Sequence, residues 1–112
     1  MLKNIMSIFA KVRFDAHLID ATRVEIPKGA SVVRIAVKSS DPGMLYAGYH
    51  SYGDLNERWA EFQAGSGTAE IWVRQPVDES HIWLQIEKPR PKFFKIRSIQ
   101  VVSMKEERNF SF

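Results

Sequence analysis

The sequence predicts an all-β fold, a two-sheet antiparallel β-sandwich or, in second place, a barrel, of about eight short strands. Three observations carry that expectation. Apolar and polar residues alternate with period two along most of the chain; Gly, Pro, Asp and Ser separate the alternating runs; and no stretch reads as a convincing helix. A small α+β domain is the alternative.

In chain order, Ile8, Ala10, Val12, Phe14, Ala16 and Leu18 form the first apolar face, opposite Phe9, Lys11, Arg13, Asp15 and His17. Thr22, Val24 and Ile26 form the second, and Pro27-Lys28-Gly29 closes it as a turn. Val33, Ile35 and Val37 form the third, which ends at the turn Asp41-Pro42-Gly43. Leu45, Ala47 and Tyr49 follow, opposite Tyr46 and His50. Residues 52–62 are the one helical candidate; Gly53 breaks the start, which leaves a single turn capped by Asp54. Residues 59–63, 69–75, 81–87 and 93–104 supply the remaining strands, with 64–68 as a flexible connection. In the last strand Phe94 and Ile96 share one parity while Ile99 and Val101 have the other. A β-bulge at Arg97-Ser98 returns all four to the core face.

The 112 residues make a single domain over 1–112, with no repeat and no low-complexity tract. At 45% hydrophobic and 26% charged the chain can bury a core without covalent staples. The absence of cysteine excludes disulfides, thiolate nucleophiles, zinc fingers and iron–sulfur clusters. No apolar run approaches the roughly 20 residues that span a bilayer as a helix. Lys3 precedes a short apolar run at 5–10, less than the core of a secretory signal, so the expected location is cytoplasmic or particle-associated. Asn109-Phe110-Ser111 is a formal glycosylation sequon at the chain terminus.

Sixteen Lys and Arg against thirteen Asp and Glu give a net charge of +3, spread along the chain. The densest basic stretch, Lys88-Pro-Arg90-Pro-Lys92-Phe-Phe-Lys95-Ile-Arg97, reads as a solvated loop leading into an edge strand that Lys and Pro protect from pairing. A phosphate or anionic-lipid patch is the other reading of that stretch.

The parity of two tryptophans is the most informative feature. Ala69, Ile71 and Val73 form one apolar face, which leaves Trp72 with Glu70 and Arg74. Ile82, Leu84 and Ile86 form another, which leaves Trp83 with His81 and Gln85. Both indoles therefore project with polar neighbours, away from the main core. If the two runs form a hairpin around Pro76–Ser80, Trp72 pairs with Trp83, Arg74 with His81 and Glu70 with Gln85, while Ile71 meets Leu84 and Val73 meets Ile82. If the connection crosses between sheets, the parity survives and the indoles separate. The tryptophans then form either an exposed platform or a small second core under a terminus or the 52–62 loop.

A second aromatic cluster comprises Tyr46, Tyr49, His50 and Tyr52, followed by Trp59 and Phe62. Tyr49 belongs with the core; Tyr46 and His50 face outward. Trp59 and Phe62 cannot share one strand face, so one of them closes an end of the sandwich. An aromatic platform flanked by Arg, His, Glu and Gln stacks on sugar rings, anchors a protein partner, or stacks unpaired bases.

No catalytic motif is present. Gly65-Ser66-Gly67-Thr68 lacks the spacing of a nucleophile elbow, and there is no Walker loop or dinucleotide fingerprint. His50, Ser51 and Asp54 crowd one short loop, whereas a triad draws on separate elements. Glu57, Glu61, Glu70 and Glu87 offer no distinguished acid pair, and Asp41, Asp54, Asp78 and Glu79 lack the dense spacing of a calcium loop. The expectation is no enzyme, no cofactor and no metal.

The segments Val32-Val-Arg-Ile-Ala-Val-Lys-Ser39, Leu45-Tyr-Ala-Gly-Tyr49, Trp59-Ala-Glu-Phe62, Ile71-Trp-Val-Arg74, Ile82-Trp-Leu-Gln-Ile86 and Phe94-Lys-Ile-Arg-Ser-Ile-Gln-Val101 together resemble the galactose-binding-like jelly roll of many carbohydrate-binding modules. The likeness covers about two thirds of the chain and lies in the order of strands. It implies a jelly roll that binds sugars through loops or one sheet face, in many cases with a structural calcium; no sugar or calcium motif carries over residue by residue.

The sequence thus points to a non-catalytic module that recognises carbohydrate or a glycosylated surface. Trp72 and Trp83 are the stacking platform, Arg74, His81, Gln85 and Glu70 the hydrogen-bonding neighbours, and Tyr46, His50 and Tyr52 the second-choice contacts. The alternative is a protein-docking or particle-assembly subunit, phage-encoded in one version, which uses the same face and forms homo-oligomers. Single-strand nucleic-acid binding ranks last because the net charge is low.

Overall fold

The structure, a computed structural model, describes residues 4–12 and 21–106, with side chains from 21 to 103. Among the described residues eight strands form: β1 (Asn4–Val12), β2 (Thr22–Glu25), β3 (Val32–Ser39), β4 (Gly43–Ser51), β5 (Asp54–Phe62), β6 (Gly65–Trp72), β7 (His81–Ile86) and β8 (Phe94–Glu106). They make two four-stranded antiparallel sheets, in the orders β1-β8-β3-β6 and β2-β7-β4-β5. The all-β sandwich expected from the alternation is the fold observed. The run at 14–18 and the sequon at 109–111 lie outside the described residues.

The pairing is nested. β4 pairs with β5, β3 with β6, β2 with β7 and β1 with β8, so the chain is one long hairpin rolled into two sheets. This is the jelly-roll arrangement. Among the described strands, β4 and β5 are the one consecutive pair that shares a sheet; the other consecutive strands lie in opposite sheets.

Alternation places the core. Val33, Ile35 and Val37 of β3, Ala69 and Ile71 of β6, and Ile96, Ile99 and Val101 of β8 face Val24 of β2, Leu45, Ala47 and Tyr49 of β4, and Ile82, Leu84 and Ile86 of β7. Each fully buried aliphatic contributes about 1.5–3 kcal/mol relative to an exposed one. The bulge expected in the last strand is present: Ala36 pairs with Ser98 but Val37 with Ile96, so Arg97 is the extra residue and all four apolar side chains reach the core. Phe62 is buried against Phe94, ring centroids 5.1 Å apart, and closes one end, while Trp59 stands outside.

Three expectations are corrected. Residues 54–58 belong to the same strand as 59–62, where a strand was expected, and form no helical turn. Tyr52 (φ 51°) and Gly53 (φ 79°) are both left-handed, which is the two-residue turn whose twist matches a β-hairpin. Residues 65–68 are strand as well, paired with β3 from Ala36 to Ser39. The basic stretch leads into β8, which is not an edge strand over its whole length: β3 pairs with it from Phe94 to Val102, and β1 from Ile99 onward.

The strained Tyr52 is compensated from the β6–β7 connection. Asp78 accepts hydrogen bonds from the N–H groups of Tyr52 (3.1 Å) and Gly53 (2.8 Å), and its own N–H donates to the His50 carbonyl (2.8 Å). The Asp78→Ala variant should lose about 1–2 kcal/mol, as these charge-assisted bonds disappear while the left-handed Tyr52 remains. Urea unfolding checks this: the midpoint should fall with an unchanged slope, and an unmoved midpoint would show that the clamp is unimportant.

Candidate functional site

The β6–β7 connection decides which aromatics meet. The hairpin around Pro76–Ser80 does not form, because β6 pairs only with β3 while β7 sits between β2 and β4 in the other sheet. Residues 73–80 cross the end of the sandwich, with Val73 and Val77 buried there. The Gln75 amide holds the crossing by donating to the carbonyls of Pro27 (3.1 Å) and Ala30 (2.7 Å). Trp72 and Trp83 are both exposed, at 55% and 48%, as their parity predicts. They lie on opposite outer faces and share no site.

Trp72 therefore separates from most of the residues grouped with it. Val32 pairs with both Trp72 and Val102, and Val32 and Val102 are fully buried beside it on that outer face. Glu70 is taken up by Arg34, Nε to Oε2 2.9 Å. The Arg74 N–H donates to the buried Tyr49 hydroxyl at 2.6 Å, which ties the end of β6 to β4. Arg58 of β5 spans the same seam, with Nε 3.3 Å from the Trp72 carbonyl. Outward positions of this sheet also carry Lys38, Lys95 and the bulge residue Arg97.

The outer face of β2-β7-β4-β5 gathers the other aromatics in a regular grid. Across β7, β4 and β5 one row is Trp83, Gly48 and Glu57; the next is Gln85, Tyr46 and Trp59. On the far side of Gly48, His81 and His50 take the next outward positions of β7 and β4, with Leu55 opposite His50. Gly48 is the low point. A Cβ there would lie 2.7 Å from the Tyr46 hydroxyl, so only glycine leaves Tyr46 room to lie across it. The result is an open recess of about 330 Å³ lined by Tyr46, Gly48, His50, Leu55, His81 and Trp83, with Glu79 at its rim.

Polar contacts fix the walls. The Tyr46 hydroxyl donates to Glu57 Oε2 at 2.7 Å, and its ring packs against Trp59 with centroids 5.5 Å apart. His81 meets Trp83 edge to face at 5.4 Å, and its Nδ1 lies 3.1 Å from the Glu79 carbonyl. His50 Nδ1 is 3.0 Å from Glu79 Oε2. The structure thus brings together Trp83, His81, Gln85, Tyr46 and His50, with Tyr52 in the adjoining turn, and excludes Trp72, Glu70 and Arg74. Sequence reasoning missed Trp59, Leu55, Gly48, Glu57 and Glu79 as members. The parity of Trp59 with Leu55, Glu57 and Glu61 was the available signal.

His50 points outward while Ser51 is buried with its Oγ unpartnered, so those two neighbours face opposite ways. Among the described residues no group of three His, Asp or Glu side chains could hold a metal, and no helix is long and apolar enough to cross a membrane.

The bond to Glu57 raises the Tyr46 pKa from 10.0 to about 12, helped by partial burial and by the charges of Glu57 and Glu87. The neutral phenol is the form the fold prefers, so this contact stabilises the protein below pH 10 and is lost as pH rises through about 12. In an absorbance titration of the tyrosines, Glu57→Gln should bring Tyr46 back toward 10. An unchanged curve would show that the carboxylate does not hold the phenol.

No family model matches the chain, and no match is found among curated proteins or solved structures.

Proposed function

We propose that this protein is a non-catalytic recognition module of the galactose-binding-like type, which binds carbohydrate or a glycosylated surface through the outer face of β2-β7-β4-β5. One observation carries the reading: the exposed Trp83 indole and the Tyr46 phenol border a recess with the Glu79 carboxylate and the His50 and His81 imidazoles at its rim, and the exposed Trp59 indole packs against Tyr46 beside it. A pyranose ring presents an apolar C–H face and an edge of hydroxyls. Trp83, Tyr46 and Trp59 suit the first; Glu57, Glu79 and Gln85 accept hydrogen bonds from the second.

The spacing favours a chain over a single terminal sugar. Trp83 and Trp59 are two strands apart and one outward step along, which puts their Cα atoms about 12 Å apart. That span suits stacking on two nearby rings of one oligosaccharide. Nucleic acid is the poorer fit, because Lys95 and Arg97 lie on the sheet that Trp83 does not belong to.

Calorimetric titration with a panel of oligosaccharides tests the reading. Trp83→Ala and Trp59→Ala should each weaken binding at least about tenfold, or about 1.4 kcal/mol, while Trp72→Ala on the opposite sheet leaves it unchanged. Equal affinity in all three variants would overturn the assignment. Concentration-dependent self-association, lost in the same two variants, would assign the face to protein docking instead.

A further inference from the structure

The face around the recess has a charge pattern as well as a shape. Outward positions of β2, β4, β5 and β7 and their flanks carry five carboxylates, Glu25, Glu57, Glu61, Glu79 and Glu87. Among the described residues, the permanent cations on these strands and flanks are Arg23, whose Nε is 2.9 Å from Glu25, Arg58, which lies at an inward position of β5 on the seam to β6, and Lys88 and Arg90 beyond Glu87. Glu57 and Glu79 stand nearest the aromatics, and each shows one oxygen engaged, by the Tyr46 hydroxyl and His50 respectively. A carboxylate has about four lone-pair sites, so both keep accepting capacity for a ligand. Indole and phenol faces add to this, since their negative π faces attract cations most strongly where water is displaced.

Resting on the carbohydrate reading above, we propose that the ligand class of this site is an amino-sugar chain, a glycan carrying free, protonated amines. An ammonium group on a ring stacked against Trp83 or Trp59 has a carboxylate acceptor and an aromatic face within one site. Acetylation of that amine removes the charge. A uronate or sulfated chain meets carboxylates of its own sign and is rejected.

The test uses four oligomers of equal length: glucosamine, its N-acetylated counterpart, a neutral glucan and a uronate, titrated calorimetrically at a pH where the amine is protonated. The glucosamine oligomer should bind at least tenfold more tightly than the acetylated and neutral ones, and the uronate should not bind. The double variant Glu57→Gln, Glu79→Gln keeps both hydrogen-bonding shapes and should erase the amine preference while residual binding to the neutral oligomer persists. Equal binding of acetylated and free-amine oligomers would overturn the amino-sugar class and leave the carbohydrate reading standing. An amine preference that survives the double variant would also overturn it, by placing the amine elsewhere. Failure of every oligomer to bind would overturn both.

Discussion

The turn at Tyr52–Gly53 is the constraint from which the rest of the structure unrolls. Because the strands pair in nested order, this two-residue hairpin is the innermost closure, and each later pair is built outside it. Its register, Ser51 opposite Asp54, fixes Gly48 opposite Glu57 and Tyr46 opposite Trp59. A slip of one residue would carry Leu45, Ala47 and Tyr49 to water and the polar set to the core, so burial on one face enforces the register on the other. The aromatic grid is thus held in place by the same interaction that fills the sandwich. Asp78 makes the tie explicit, because it comes from the crossing that closes the sandwich end and clamps the turn.

That crossing also divides the surface chemically. By sending β6 and β7 to opposite sheets it gives each outer face its own tryptophan and its own charge. The face of β3, β6 and β8 carries Arg34, Lys38, Lys95 and Arg97 against Glu70, and its apolar positions beside Trp72 are already buried. The opposite face carries carboxylates and leaves Trp83 and Trp59 each about half exposed, Trp83 beside the Gly48 depression and Trp59 against Tyr46. A small basic net charge conceals two surfaces of different character, and the aromatic one with more carboxylates holds the recess.

Much of the fold is legible in the residues because each sheet buries one face. Val33, Ile35 and Val37 or Ile82, Leu84 and Ile86 announce their strands, and the parity change after Ile96 announces the bulge at Arg97. The first half of β5 hid for a physical reason: its inward residues, Asp54, Asn56 and Arg58, lie beyond the main core, so no apolar inward face marks the strand before Ala60. Residues 65–68 hid because small side chains suffice where the strand runs past the packed centre. The Trp72–Trp83 pairing failed differently. Local alternation is identical for a hairpin and for a sheet-to-sheet crossing, so exposure of both indoles was legible while their separation was not. Trp59 belonged to the site through β4–β5 pairing, which only the unseen turn at Tyr52–Gly53 establishes.

The central claim is that the outer face of β2-β7-β4-β5 is a glycan platform and the face bearing Trp72 is not. The three indole N–H resonances report on this directly, each assigned by substitution and followed by NMR as an oligosaccharide is added. The account predicts that Trp83 and Trp59 shift together along one saturating curve while Trp72 stays still. A shift confined to Trp72, or none at any indole in the presence of a bound glycan, would contradict it.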